Sequence, residues 1–162
     1  MELIFEPLSS AHEKDVMDIF NYYAENSFAA YPERRLPDAF FSKFLEISKG
    51  YPAFAVKSEN GIIGFCMLRP YNPFPVFKGT AEISYFFKEG HTGKGIGGKA
   101  LTALEDAGRK MGIKKILAEI SSENQGSIGF HKRHGFCECG NFEGIGNKFG
   151  KEFGIVWMIK EL

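Results

Sequence analysis

The sequence predicts an α/β (α+β) domain built on one mixed central sheet. Its hydrophobic patterns run in the order strand, two helices, three strands, helix, strand, helix and two strands. Asn60-Gly61 between two β-rich runs marks an antiparallel hairpin, whereas the strand, helix and strand across residues 80–120 form one βαβ unit with parallel strands. No repeat, low-complexity tract or linker divides residues 1–162, so they are read as a single domain.

Leu3, Ile4 and Phe5 allow a short opening strand, stopped by Pro7. Ser10 with Glu13 forms a capping-box pattern ahead of Val16, Ile19, Phe20 and Tyr23, whose spacing predicts a helix over 11–26. Pro37 precedes Phe40, Phe41, Phe44, Leu45 and Ile47 at helical spacing, and Gly50 and Pro52 end that helix. Residues 53–57 and 62–68 read as the hairpin strands. Pro70, Pro73 and Pro75 make 69–78 a stiff loop unable to pair as a central strand. A strand over 80–87 leads to a helix outlined by Ile96, Ala100, Leu104, Ala107 and Met111, then a strand over 113–120. Residues 124–134 form a short helix closed by Gly135, and 136–141 and 153–159 are closing strands around a Gly-rich connection.

A chain of this length buries about 68–70% of its extended surface, enough for a core without disulfides or a structural metal. Seventeen Phe are available to fill it. Twenty basic side chains balance 20 acidic ones, so no whole-molecule field attracts phosphate backbones or membrane surfaces, and neither nucleic acid nor membrane is expected as a partner. Cys66, Cys137 and Cys139 are odd in number and form no CxxC, which favours reduced thiols. The opening MELIFEPLSSAHEKD lacks a signal-peptide pattern, and a cytoplasmic location is expected.

The run Gly93-Lys94-Gly95-Ile96-Gly97-Gly98-Lys99 lies after a strand and at the mouth of a helix, where free backbone N–H groups bind phosphate. As a P-loop it fails at Ala100, which stands where the Mg²⁺-binding hydroxyl belongs. As GxGxxG it has a suitably spaced acid in Glu119, but one βαβ unit is too little for a dinucleotide crevice. A tight turn that only packs helix on sheet is the purely structural alternative.

With the preceding Tyr85-Phe86-Phe87-Lys88-Glu89-Gly90-His91-Thr92, this run resembles the acetyl-CoA motif of the GNAT N-acetyltransferase superfamily, [QR]-x-x-G-x-[GA], with Thr92 replacing Gln or Arg. The element order is similar over almost the whole chain. Thr80-Ala81-Glu82, Asn124-Gln125-Gly126-Ser127-Ile128-Gly129-Phe130-His131 and Gly146-Asn147-Lys148-Phe149-Gly150 resemble segments of the phosphinothricin N-acetyltransferase family, and Trp157 falls in its aromatic last strand. The resemblance implies a GNAT fold with helices on both faces of the sheet and acetyl-CoA as acetyl donor. It implies that Phe86, Phe87 and Lys88 hold the pantetheine arm, that Gly93, Lys94, Gly95, Ile96, Gly97 and Gly98 hold the pyrophosphate, and that Asn124 and Ser127 complete the cofactor site.

Acetyl transfer to an amine needs a proton acceptor and a donor to the departing thiolate. Glu82, in an otherwise apolar strand, is a candidate for a carboxyl with a raised pKa; a solvated or ion-paired carboxylate is the alternative. The resemblance puts the general base there. His131 is the candidate proton donor, though a lone helical His is commonly structural, and His131 and His134 with Cys137 and Cys139 lack a standard zinc spacing, so no metal is expected. Ser27, Phe28, Tyr31, Phe77, Lys78 and Lys148 are candidates for the acceptor pocket, with Lys78 or Lys148 meeting a substrate carboxylate.

The expected activity is direct acetyl transfer to the primary amine of a small amino-acid-like molecule of the phosphinothricin or methionine sulfone/sulfoximine type. Acetylation of a protein N-terminus and non-catalytic acyl-CoA binding are the alternatives. Similar enzymes are often dimers, so a homodimer is also an expectation.

Overall fold

A single seven-stranded sheet organises the computed structural model, which describes residues 1–162. Its strands are β1 (Ile4–Pro7), β2 (Ala53–Ser58), β3 (Gly61–Pro70), β4 (Thr80–Phe87), β5 (Lys115–Ser121), β6 (Cys137–Lys148) and β7 (Lys151–Glu161). The spatial order is β1-β2-β3-β4-β5-β7-β6, and β4–β5 is the parallel pair in an otherwise antiparallel sheet.

Alternation along the strands supplies two apolar faces, and helices cover both. Helices α1 (Glu13–Asn26) and α2 (Phe41–Ile47) pack Val16, Met17, Phe20, Ala24 and Phe41 against Phe65 and Met67 of β3. Helices α3 (Ile96–Lys110) and α4 (Gln125–Arg133) cover the opposite face, where Ala100, Leu101, Leu104 and Ile128 meet Leu68, Ile83, Ile116 and Ala118. All three cysteines are free thiols. No helix is long and apolar enough to cross a membrane.

Three local expectations are corrected. The capping box uses Ser9 with His12, one residue earlier than Ser10 with Glu13, and a 3₁₀ turn over Ser10–His12 precedes α1. The Gly-rich connection is no loop: β6 and β7 form one long hairpin, with register shifts at 138–140 and 142–146. Its glycines allow close packing, since a Cβ on Gly146 would stand 2.5 Å from the Phe153 ring. Arg69 and Pro70, expected in the loop, extend β3 opposite Glu82 and Ala81. By Pro70 β2 has already ended, so the missing proline N–H costs no ladder bond.

One feature of the register creates an opening. The β4–β5 pairing covers Thr80–Lys115, Ala81–Ile116 and Glu82–Leu117 and stops there. From Ile83 onward the two strands splay, leaving the edge of β4 unpaired toward β5.

Candidate active site

The splay opens a cavity of about 1070 Å³ that reaches both faces of the sheet. Toward α3 and α4 it is lined by Tyr85, Phe87, Gly93, Gly95, Gly97, Gly98, Asn124, Ser127 and His131. Toward α1 and α2 its lining includes Phe20, Tyr31, Phe44, Arg69, Ser84, Phe86 and Glu119.

The glycine turn shapes the first mouth. Gly95 caps α3 with φ 76°, in the left-handed region that an L side chain rarely adopts. A Cβ on Gly97 would lie 3.2 Å from the Phe130 ring, so glycine there lets α3 approach α4. The free N–H groups of the first turn of this 15-residue helix make an anion site. Thr92 lines the same mouth. Asn124 accepts from Ser127 N–H at 3.2 Å, capping α4 and leaving its own Nδ2 donors for a ligand. Lys88, Lys94 and Ile96 do not line the cavity; Ile96 is a core residue.

His131 is buried, with the ring of Phe136 at 4.9 Å. Its Nδ1 lies 2.7 Å from the Ser127 carbonyl, which only accepts, so Nδ1 carries the proton and Nε2 accepts from the Tyr85 hydroxyl. Burial pushes the His131 pKa below its ordinary value, and nearby His134 adds to that, against the Ser127 hydrogen bond. In this arrangement neutral His131 carries its proton on Nδ1, toward Ser127, and the Tyr85 hydroxyl stands at its other nitrogen. Tyr85, quoted above only as part of the motif run, presents the hydroxyl.

Glu82 stands on the opposite face. Its Oε2 is 2.8 Å from the Arg69 guanidinium, which also donates to Ser84 Oγ. Burial raises the Glu82 pKa, the Arg69 charge opposes the rise, and the Glu119 carboxylate adds to it. Arg69, Ser84 and Glu119 line the cavity, and Glu82 is tied to that wall through Arg69.

The expected acceptor residues separate into groups. Tyr31 stacks on Phe153 at 6.0 Å and donates to Glu119 Oε1 at 3.4 Å, at the cavity wall. Phe28 packs behind it between Phe149 and Phe153, and Ser27 closes the turn after α1 by donating to the Tyr23 carbonyl at 3.0 Å. Phe77 and Lys78 are exposed and outside the cavity lining; Phe77 packs on Tyr71 at 5.5 Å.

Lys148 is corrected as a carboxylate ligand. It is 1% exposed, and its ammonium donates to the carbonyls of Ala24, Ser27 and Ala30 at 2.7, 2.5 and 2.5 Å. All three of its donors are committed to the last turn of α1 and the chain that follows it. Burial lowers its pKa, against the nearby Glu33 carboxylate.

The family model for the Acetyltransferase (GNAT) family matches residues 16–136. The L-methionine sulfoximine/L-methionine sulfone acetyltransferase of Pseudomonas paraeruginosa is 34% identical over 111 residues, a match spanning 68% of this chain and 64% of that relative. Among solved structures, the ribosomal-protein-alanine N-acetyltransferase of Brucella melitensis superposes with a TM-score of 0.90 at 27% identity, covering 98% of this chain and 99% of that one. Salmonella typhimurium yncA, solved with its cofactor acetyl-CoA, superposes with a TM-score of 0.89 at 25% identity over 99% of this chain and 94% of its own. A glycine turn at the mouth of α3, a β4–β5 pair that splays after Glu82 and a family match over most of the chain lead to one conclusion: this protein belongs to the GNAT acetyltransferase family.

Proposed function

We propose that the chain is an acetyl-CoA-dependent N-acetyltransferase that acetylates the primary amine of a small amino-acid-like molecule by direct transfer. The observation that carries this reading is the through-sheet opening, with Arg69, the ion-pair partner of Glu82, lining one mouth and the Tyr85–His131 pair the other. A proton has to leave the amine on one side, and the thiolate needs a donor on the other. The likeness to the Pseudomonas relative supports an amino-acid-like acceptor.

The residues fit acetyl-CoA. The N–H groups at the start of α3 suit the pyrophosphate, the unpaired edge of β4 suits the pantetheine amides, and Asn124 offers its Nδ2. When bound, acetyl-CoA supplies the acetyl group as an activated thioester. The chain itself orients and moves protons. Glu82 takes the proton from the acceptor's ammonium or from a water between them, a role that a pKa raised by burial favours. Tyr85, whose one hydroxyl proton rests on His131 Nε2, turns that O–H to the departing sulfur and gives up the His131 bond. His131 is on this reading a positioning residue.

Acetyl-CoA calorimetry combined with thiol release over amino acids, simple amines and alanine-first peptides tests the proposal. Binding with turnover of amino acids is expected. Absence of acetyl-CoA binding contradicts it, turnover of peptides alone moves the acceptor to a protein N-terminus, and binding without any turnover leaves an acyl-CoA-binding module.

A further inference from the structure

A second cavity, of about 580 Å³, meets the first at the glycine turn, and Gly95, Gly98 and His134 line both. His134 is the C-cap of α4 and packs on the Phe130 ring, with centroids 4.1 Å apart. Its Nδ1 lies 2.8 Å from the Phe130 carbonyl, which only accepts, so Nδ1 carries a proton in either charge state. Any gain of charge therefore falls on Nε2.

Nε2 reaches the first turn of α3. A Cβ on Gly98 would stand 3.0 Å from it, so glycine at this third helical residue leaves room for the imidazole beside the free N–H groups of the turn. Nε2 has no hydrogen-bond partner within the chain and is not sealed from solvent. Neutral, it turns a lone pair toward an anion held at the turn and repels it. Protonated, it turns an N–H and adds a charge-assisted hydrogen bond.

Few charged groups surround it. Lys99 comes from α3, His131 and Arg133 from α4, and the Met1 amino group and Glu2 from the segment ahead of β1. Lys160, next to Gly135, is held by Glu105 at 2.5 Å. Glu2 is the carboxylate in this lining, so an imidazolium here draws its counter-charge mainly from a bound anion. Arg133 has a fixed charge but lies along its own helix, where its Nη1 is 3.2 Å from the Cβ position of Gly129.

We propose that His134 is a ligand of the cofactor's pyrophosphate and that acetyl-CoA binding loads it with a proton, so that cofactor affinity falls as pH rises. This rests on the transferase reading above. The step moves one proton from solvent to Nε2 and forms no covalent bond to the cofactor. Binding that favours the protonated form takes up protons, and by the same linkage affinity is greatest at low pH and is lost as the imidazolium deprotonates. Histidine is the side chain whose charge changes in this range, whereas Arg133 adds attraction without a pH slope.

The test is titration calorimetry of acetyl-CoA on the whole chain in two buffers of different ionisation enthalpy, which reads the protons taken up per ligand bound. The wild type is expected to take up about half a proton at about pH 7, and to bind roughly tenfold more weakly at about pH 8.5 than at about pH 6. In His134→Gln the uptake and the slope are expected to fall to near zero, with affinity within about twofold of wild type at the alkaline end. Acetyl-dephospho-CoA keeps the pyrophosphate and lacks the 3′-phosphate monoester, which itself titrates at about pH 6. Uptake is expected to persist with it. Uptake that disappears with this analogue, or that is equal in His134→Gln, belongs to another group and overturns the proposal. A wild type without uptake overturns it even if the variant does not fold. Absence of acetyl-CoA binding at every pH would instead count against the transferase reading.

Discussion

At the mouth of the β4–β5 opening proposed for the cofactor, the proposed pyrophosphate donors are backbone N–H groups contiguous in sequence over residues 93–98. At the mouth proposed for the acceptor, the lining groups are side chains from separate segments: Tyr31 after α1, Arg69 on β3, Ser84 on β4 and Glu119 on β5. The cofactor mouth depends on main-chain shape, so a side-chain substitution there changes little unless it replaces a glycine that the shape requires or the His134 imidazole set against the turn. The acceptor mouth depends on which side chains arrive, so one substitution can alter what it accepts. Both mouths share β4, whose alternation sends Glu82 to one face and Tyr85 to the other.

The largest effect is expected from Glu82→Gln, which removes the proton acceptor and leaves the cofactor mouth intact. Turnover should fall about 10²–10³-fold, with acetyl-CoA affinity unchanged by calorimetry. Tyr85→Phe acts on the opposite face; it deletes the hydroxyl and leaves His131 Nε2 without a partner. A fall in kcat of about 10–10²-fold is expected, with KM for the acceptor nearly constant, as steady-state kinetics can check.

Lys148→Met frees three carbonyls and loosens the segment that carries Tyr31. Its cost should be about 2–4 kcal/mol in denaturant unfolding, with a roughly tenfold higher KM for the acceptor and little change for acetyl-CoA. Thr92→Gln, which adds an amide donor at the pyrophosphate turn, should tighten acetyl-CoA about two- to fivefold and leave acceptor kinetics alone. A variant that moves both substrates together would blur the contrast between the mouths.

The same contrast explains what was legible in the sequence. The glycine turn, the βαβ unit and most helices and strands depend on neighbours within a few residues, and their signals lie in the chain order. Arg69 was hidden because prolines suggested a loop, and only the early end of β2 lets β3 continue through it. Lys148 read as a free cation for a substrate carboxylate because its three carbonyl partners lie 118–124 residues away. Tyr85 reads as core in an alternating strand until α4 brings His131 beneath it. Glu119 suggested a ribose ligand while the glycine run was tried as GxGxxG; its tie to Tyr31 appears only when β5 faces the segment after α1.

On the proposed assignment of the base, Glu82 is the group whose ionisation limits acceptor turnover at low pH. A carboxyl with a raised pKa is protonated, and useless as a base, below that value, so activity falls as pH drops through it. Because Glu119 contributes to the rise, Glu119→Gln should shift this acid limb to lower pH. The most direct test is the pH dependence of kcat/KM for the acceptor in wild type and Glu82→Gln, with acetyl-CoA affinity measured alongside. The expected result is an acid limb above the ordinary carboxylate range in the wild type, its loss in Glu82→Gln, and equal acetyl-CoA affinity in both. An unchanged acid limb in Glu82→Gln would contradict the assignment of the base to the acceptor face.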